Sequence, residues 1–310
     1  MPSRQDIQRE ITRSDRQDLV RRRYLEELQK HTGRDTIIYA TGFTNQKVQL
    51  LQIPGILLSL TSEDIQGFMA ALHELKGNEL DMIIHSPGGS AEATEQVVNY
   101  LRSKYSHIRA IVPQNAMSAA TMLACACDEI IMARHSALGP IDPQMAVVAG
   151  NGSRYFIAAQ SILSEFEQAK QEVTANPRLA TLWVSRINSY PHGFFKMCED
   201  TITLAKTMVT SWLQTYMFKG DKTGIANRIA EWLSKASNHL THGRPIDIAT
   251  AKLQGLKVTQ LEGDQKLQEA VLSVFHATMV TFDSSNCVKL IENHNGKGWF
   301  SRINVEQKPR

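Results

Sequence analysis

The chain has 310 residues, 42% hydrophobic and 21% charged, a globular composition with room for one large domain or two smaller ones. Its 34 basic and 31 acidic residues leave a net charge of +3, without the basic excess of an electrostatic nucleic-acid binder. The cysteines Cys125, Cys127, Cys198 and Cys287 fit packed thiols rather than a disulfide framework, and Cys125-Ala-Cys127 has no second pair to complete a metal site.

Residues 1–33 read as one charged helix, in which Arg21-Arg22-Arg23, near Asp18, Glu26 and Glu27, forms a solvated face. The polar start has no signal-peptide core, and nowhere do about 18 apolar residues run together, so a cytoplasmic protein without a membrane span is expected. A strand follows over Thr36–Ala40. Residues 47–60, interrupted by Pro54-Gly55, suggest a strand and a turn. Thr61-Ser62-Glu63-Asp64 resembles a helix start, and Ile65, Phe68, Met69, Leu72 and Leu75 recur at helical spacing behind it.

Leu80–His85 is a short buried strand, broken by Ser86-Pro87-Gly88-Gly89-Ser90 before a helix running to about Lys104. Ile108–Val112 is a strand, Met117–Cys127 a helix of small residues, and Glu129–Met132 a strand again. This alternation means βαβ units in a mostly parallel sheet. From about residue 153 the chain reads as helical, over Ile157–Val173, Glu199–Tyr216, Gly224–Ala236 and Ile248–Gly255, with Lys266–Thr278 another helix or an amphipathic edge, and 295–310 reads as polar and loose. The pattern describes an α/β protein, either one domain elaborated by helices or an α/β domain with a helical subdomain. The expected divisions are 1–33, 34–260 with a helical insertion at about 153–236, and 261–310.

Four segments carry residues suited to chemistry. Gly88-Gly89, between a strand and a helix, can turn backbone N–H groups outward where an oxyanion would develop, although a plain turn would look the same. Ser118, in Asn115-Ala116-Met117-Ser118-Ala119-Ala120-Thr121, enters a helix after a strand, as a nucleophile or a helix cap does. Asp142 is held between Pro140 and Pro143. His242 stands in Thr241-His242-Gly243-Arg244-Pro245-Ile246-Asp247, and histidine is the usual base for a serine.

Taken in order, Ser86-Pro87-Gly88-Gly89, Ala116-Met117-Ser118, Cys127-Asp128-Glu129-Ile130, Leu138-Gly139-Pro140-Ile141-Asp142-Pro143-Gln144 and Thr241-His242-Gly243-Arg244-Pro245-Ile246 resemble the ClpP-like serine proteases, in the branch called serine dehydrogenase proteinases (SDH). The likeness spans roughly residues 30 to 260. It implies a ClpP/crotonase-like spiral of βαβ units with a helical C-terminal elaboration. It also implies a serine peptidase with a Ser, Asp, His triad: Ser118 as nucleophile, Asp142 as orienting acid, His242 as base. Gly89 and Ala119 would supply the oxyanion amides, with Gly88 shaping the loop.

Two departures stand out. Ala119-Ala120 replaces the family's Gly-Gly, which should narrow the pocket by two methyl groups, and Gly243 replaces an aspartate. His85 is therefore a second candidate base. The expected partners are peptide or unfolded protein substrates and further copies of the chain in a homo-oligomer. Leu182, Trp183, Phe194, Phe195, Trp212, Leu213, Tyr216, Met217, Phe218 and Trp232 would be its interface residues or, alternatively, the core of a helical subdomain. No Gly-x-Gly-x-x-Gly follows a strand, so neither NAD nor another cofactor or metal is expected. A crotonase-type acyl-CoA enzyme and a catalytically silent scaffold are the alternatives.

Overall fold

The computed structural model describes residues 3–14, 17–148 and 152–303. Helices α1 (Arg4–Ser14) and α2 (Gln17–Thr32) precede strand β1 (Asp35–Thr41). Then come α3 (Gln46–Leu50), α4 (Asp64–Leu72), β2 (Glu79–His85), α5 (Ala91–Lys104), β3 (His107–Val112), β4 (Asn115–Ala116), α6 (Ala119–Cys125), β5 (Glu129–Met132) and β6 (Ala137–Leu138). A hairpin, β7 (Gln144–Val148) and β8 (Arg154–Ala158), leads to α7 (Ala159–Ala175), α8 (Ala180–Ile187), α9 (Phe194–Thr215), α10 (Ile225–Ser234), α11 (Ala236–His239) and α12 (Ile248–Leu253). The chain closes with β9 (Val258–Gln260), α13 (Gln265–Ser284), β10 (Cys287–Asn293) and β11 (Gly298–Arg302).

Seven strands make one sheet in the order β11-β10-β1-β2-β3-β5-β9. It is parallel from β1 to β9, with β10 antiparallel to both its neighbours. Its central strands are apolar at successive positions because both faces are covered. Ile37, Tyr39, Leu80, Met82, Ile84, Ile108, Ala110, Ile130 and Met132 join one core with α4, α5, α6, α9 and α10. The alternate residues Ile38, Ala40, Ile83, Ile111 and Ile131 join a second core with α2 and α13. That two-residue alternation is the pleat itself. Each Ile, Leu or Met among them contributes about 1.5–3 kcal/mol by leaving water. Beyond this three-layer body, β7, β8, α7 and α9 share a satellite core of Met145, Ile162, Tyr190, Phe194 and Cys198.

Several local expectations are corrected. Where one helix was expected over 1–33, the described residues form α1 and α2. Arg21 is not on a solvated face: it is fully buried, donating to Glu292 (2.5 Å), Thr281 (2.7 Å) and Asp18 (2.8 Å), while Arg22 reaches the other Glu292 oxygen (2.6 Å). A buried guanidinium needs such compensation, and here it ties α2 to β10 and α13. The stretch 47–60 is a short helix followed by a 3-10 turn, with Asn45 capping the helix through the Lys47 N–H. Residues 298–302 form a paired edge strand instead of a loose end, whereas 304–310 lie outside the described residues. Of the two readings left open for the large apolar residues of the helical half, the core reading holds for Phe194, Trp212, Leu213, Met217 and Phe218, which are buried within the chain. No helix among the described residues is long and apolar enough to cross a membrane.

Candidate active site

Beside the main sheet, four segments lie next to one another. Ser86 bridges Ala116 in parallel, Ala116 pairs with Leu138 in parallel, and Leu138 bridges Ile246 in antiparallel sense. Hydrogen bonds join each neighbour: Met117 N–H to Ser86 O (3.0 Å), Ala137 N–H to Gln114 O (2.7 Å), and the reciprocal Leu138–Ile246 pair (3.0 and 2.9 Å). Direction decides what this ledge presents. Moving forward along the three parallel segments leads from Ser86 to Gly88-Gly89, from Ala116 to Ser118, and from Leu138 to Asp142. The fourth runs the other way, so the same direction in space leads backward from Ile246 to His242. Adjacent segments are about 4.8 Å apart. All four groups thus leave one small ledge on the same side.

Ser118 adopts φ 52°, ψ −121°, a backbone region that non-glycine residues rarely enter and that costs on the order of 1–3 kcal/mol. It is half-buried, and its side chain does not cap α6. The turn is held from behind by Thr121, which is fully buried. Its hydroxyl donates to Ala116 O (2.7 Å) and accepts from Gly139 N–H (2.9 Å), locking the Ser118 turn to the Asp142 loop.

Gly88 has φ +99°, and a Cβ there would meet Ala119 N at 2.7 Å and the Ser118 Cβ at 2.8 Å. Only glycine lets the loop lie this close to the serine turn. The Gly88 N–H donates to Ser86 Oγ (3.1 Å), so it is already engaged. By contrast, neither the exposed Gly89 N–H nor the Ala119 N–H has an acceptor among the described residues. Ala119 and Ala120 are buried in the main core, so their methyl groups pack inward; the expected narrowing of the pocket does not occur.

His242 Nδ1 lies 2.8 Å from Asp142 Oδ1. The Asp142 side chain is 4% exposed and that of His242 28%, and the other Asp142 oxygen accepts from Gln144 Nε2 (2.7 Å). The proline-flanked loop is anchored to α10 by Ile141 N–H donating to Leu233 O (3.0 Å). With Nδ1 facing the carboxylate, Nε2 is the outward nitrogen. Gly243 sits in open space, so the missing aspartate leaves this pair intact. A cleft of about 760 Å³ opens on the histidine's side, lined by Asp142, Gln144, Phe156, Glu165, Leu240 and His242 among others; Ser118 stands outside that lining.

His85 is fully buried between the rings of Phe43 and Phe275. Its Nδ1 accepts from Asn115 N–H (3.4 Å), and its Nε2 lies 3.1 Å from Thr44 Oγ1. Burial lowers its pKa to about 3. Both ring nitrogens are committed, and the ring props the first residue of β4. Sequence reasoning passed over Thr121 and Gly139, although both stand inside the motifs it singled out. Their signal is the tight packing that a small or β-branched residue permits where segments meet.

The family of ClpP-like SDH-type serine proteinases matches residues 7–281. An uncharacterized protein of Methanocaldococcus jannaschii is 28% identical over 245 residues, 77% of this chain and 73% of that protein. A second from the same organism is 34% identical over 128 residues, 41% of this chain and 43% of that one. Among solved structures, the 1510-N membrane-bound stomatin-specific protease aligns at 14% identity with a TM-score of 0.30, covering 66% of this chain and 92% of that chain.

Proposed function

Because the chain belongs to the ClpP-like SDH-type serine proteinases, we propose that it is a serine peptidase hydrolysing peptide bonds through an acyl-enzyme on Ser118. The observation that carries this reading is the ledge: it sends a strained, uncapped serine, two unpaired amides and an Asp–His pair to one side of four hydrogen-bonded segments. In the proposed reaction His242 Nε2 takes the Ser118 hydroxyl proton as Oγ adds to the substrate carbonyl carbon. Asp142 holds the Nδ1 side of the ring and stabilises the imidazolium. The Gly89 and Ala119 amides donate to the oxyanion, where one such donor is worth roughly 10²–10³ in rate. Collapse of the tetrahedral intermediate breaks the C–N bond, and His242 returns its proton to the departing amine. Water, deprotonated by the same nitrogen, then releases the acid. The cleft beside His242 lies where the leaving half of the peptide would sit.

An acyl-CoA enzyme of crotonase type would use the paired amides but would need neither the strained serine nor the Asp–His pair, so the geometry favours the peptidase. A scaffold would need none of the three. Labelling with a fluorophosphonate probe tests the proposal. The adduct is expected on Ser118 and is lost, with peptide hydrolysis, in Ser118→Ala; labelling elsewhere, or hydrolysis surviving the change, refutes it. We further propose a cytoplasmic homo-oligomer acting on peptides or unfolded chains, supported by the apolar side chains exposed on the β7–β8 hairpin and on α8.

A further inference from the structure

Behind the Ser86–Gly89 loop lies a buried polar chain that substrate does not reach. Tyr39, Asp64 and Ser86 are wholly buried and Lys289 nearly so. Lys289 Nζ donates to both Asp64 oxygens (2.9 and 3.0 Å) and to Ser59 O (2.6 Å). The Tyr39 hydroxyl donates to Asp64 Oδ2 (3.5 Å) and lies beside the Ser86 side chain. Ser86 Oγ in turn accepts the Gly88 N–H (3.1 Å). Polar groups therefore follow one another from the Gly88 N–H through Ser86 and Tyr39 to the carboxylate. Asp64 Oδ2 also accepts the Thr61 N–H (3.0 Å). Thr61 follows Leu60, whose N–H donates to Gly88 O (2.7 Å) and whose O accepts the Ser90 N–H (2.9 Å). One carboxylate thus holds the loop by two routes.

A buried ion pair is weak evidence for stability, since well-packed apolar side chains often serve as well. A fully satisfied polar network does rigidify what it touches. What it touches here is the peptide whose neighbour carries the unpaired Gly89 amide. We infer that Asp64, through Tyr39 and Ser86 on one side and Thr61 and Leu60 on the other, is a positioning residue that aims the Gly89 N–H at the reacting carbonyl oxygen. The inference rests on the peptidase reading. It assigns Lys289, on β10 and beyond the residues the family matches, the task of holding the buried Asp64 side chain in place by hydrogen bonds to both its oxygens.

Tyr39→Phe keeps the ring packed on Phe68 (centroids 5.6 Å apart) and removes only the link between Ser86 and Asp64. A misaimed oxyanion donor predicts a fall in kcat of about 10- to 100-fold, below the loss of a whole donor. KM is expected to stay within about twofold, while a peptide aldehyde, whose adduct places an oxyanion at the same amide, loses affinity by the same factor as kcat. Ser86→Thr, which keeps a hydroxyl, is expected to stay nearer wild type than Ser86→Ala, and this pair decides the matter should Tyr39→Phe fail to fold. Unchanged kcat and aldehyde affinity in folded Tyr39→Phe, or a change confined to KM, overturns the positioning role alone. A wild type that the fluorophosphonate leaves unmodified at Ser118 overturns the peptidase reading and this inference with it.

Discussion

A serine that caps a helix spends its oxygen on a backbone N–H; one that attacks a carbonyl must keep it free. Ser118 makes no capping bond and tolerates a positive φ, so its backbone strain is not offset at its own position. The two candidate histidines separate on the same kind of evidence. His242 shows one nitrogen to a carboxylate and leaves the other outward, while His85 is enclosed with both nitrogens engaged. His242→Ala is therefore expected to slow acylation by roughly 10³-fold or more, measured as the rate of fluorophosphonate labelling. His85→Gln should cost far less; the reverse ranking in folded proteins would move the base to His85. His85 instead predicts acid sensitivity. Unfolded, its imidazole takes up a proton below about 6.5; folded, only near pH 3. The unfolded state binds more protons throughout that window, so stability from this group is complete above pH 6.5 and declines as pH falls, by up to about 1.4 kcal/mol per unit. Denaturant titrations at pH 7 and pH 4.5 should show a smaller loss for His85→Gln than for wild type; equal losses would show that this histidine does not govern the acid limb.

The elements of the site are tiny. Strands β4 and β6 have two residues each, and their register comes from hydrogen bonds made behind the reacting face. Thr121 is the clearest case, because one buried hydroxyl fastens Ala116 and Gly139 together. Thr121→Val preserves shape and removes both bonds, leaving a buried carbonyl and a buried N–H unpaired, a loss of about 1–3 kcal/mol. Labelling of Ser118 should slow while KM for peptides changes little, and Thr121→Ser should restore the rate; a Val variant as fast as wild type would show that the ledge holds without this hydroxyl. Such bonds explain what was legible in the sequence. Short, mostly apolar runs such as Leu80–His85 and Glu129–Met132 announce a covered sheet, and the spaced motifs announce the segments that meet at the site. Strand β8 falls within the stretch from about residue 153 that the sequence marks as helical; it packs on a satellite core rather than on the sheet, so no clean alternation marks it. The Asp64–Lys289 pair, joining positions 225 residues apart, left no local signal at all.

At the scale of the whole molecule, the question is which surface a second copy would cover. Most of the aromatic residues on α9 serve the chain's own core. Several exposed apolar side chains stand on the β7–β8 hairpin and on α8: Phe156 and Leu182 are each 72% exposed, and Val148, Tyr155 and Val184 are more than half exposed. Side chains of this size in water favour association, because each gains on the order of 1.5–3 kcal/mol when covered. Phe156 also lines the cleft beside His242, so its exposure serves substrate as readily as a neighbour. Leu182 and Val184 are not part of that lining and give the cleaner test. If α8 is an interface, light scattering at micromolar concentration should find the wild type at a multiple of 34.7 kDa. Leu182→Asp combined with Val184→Asp should shift it to the single-chain mass, since two carboxylates would have to be desolvated at the contact. Fluorophosphonate labelling of Ser118 should survive in that variant, because α8 contributes none of the four ledge segments. A wild type at the single-chain mass would refute association, and a double variant that stays assembled would place the interface elsewhere on the surface.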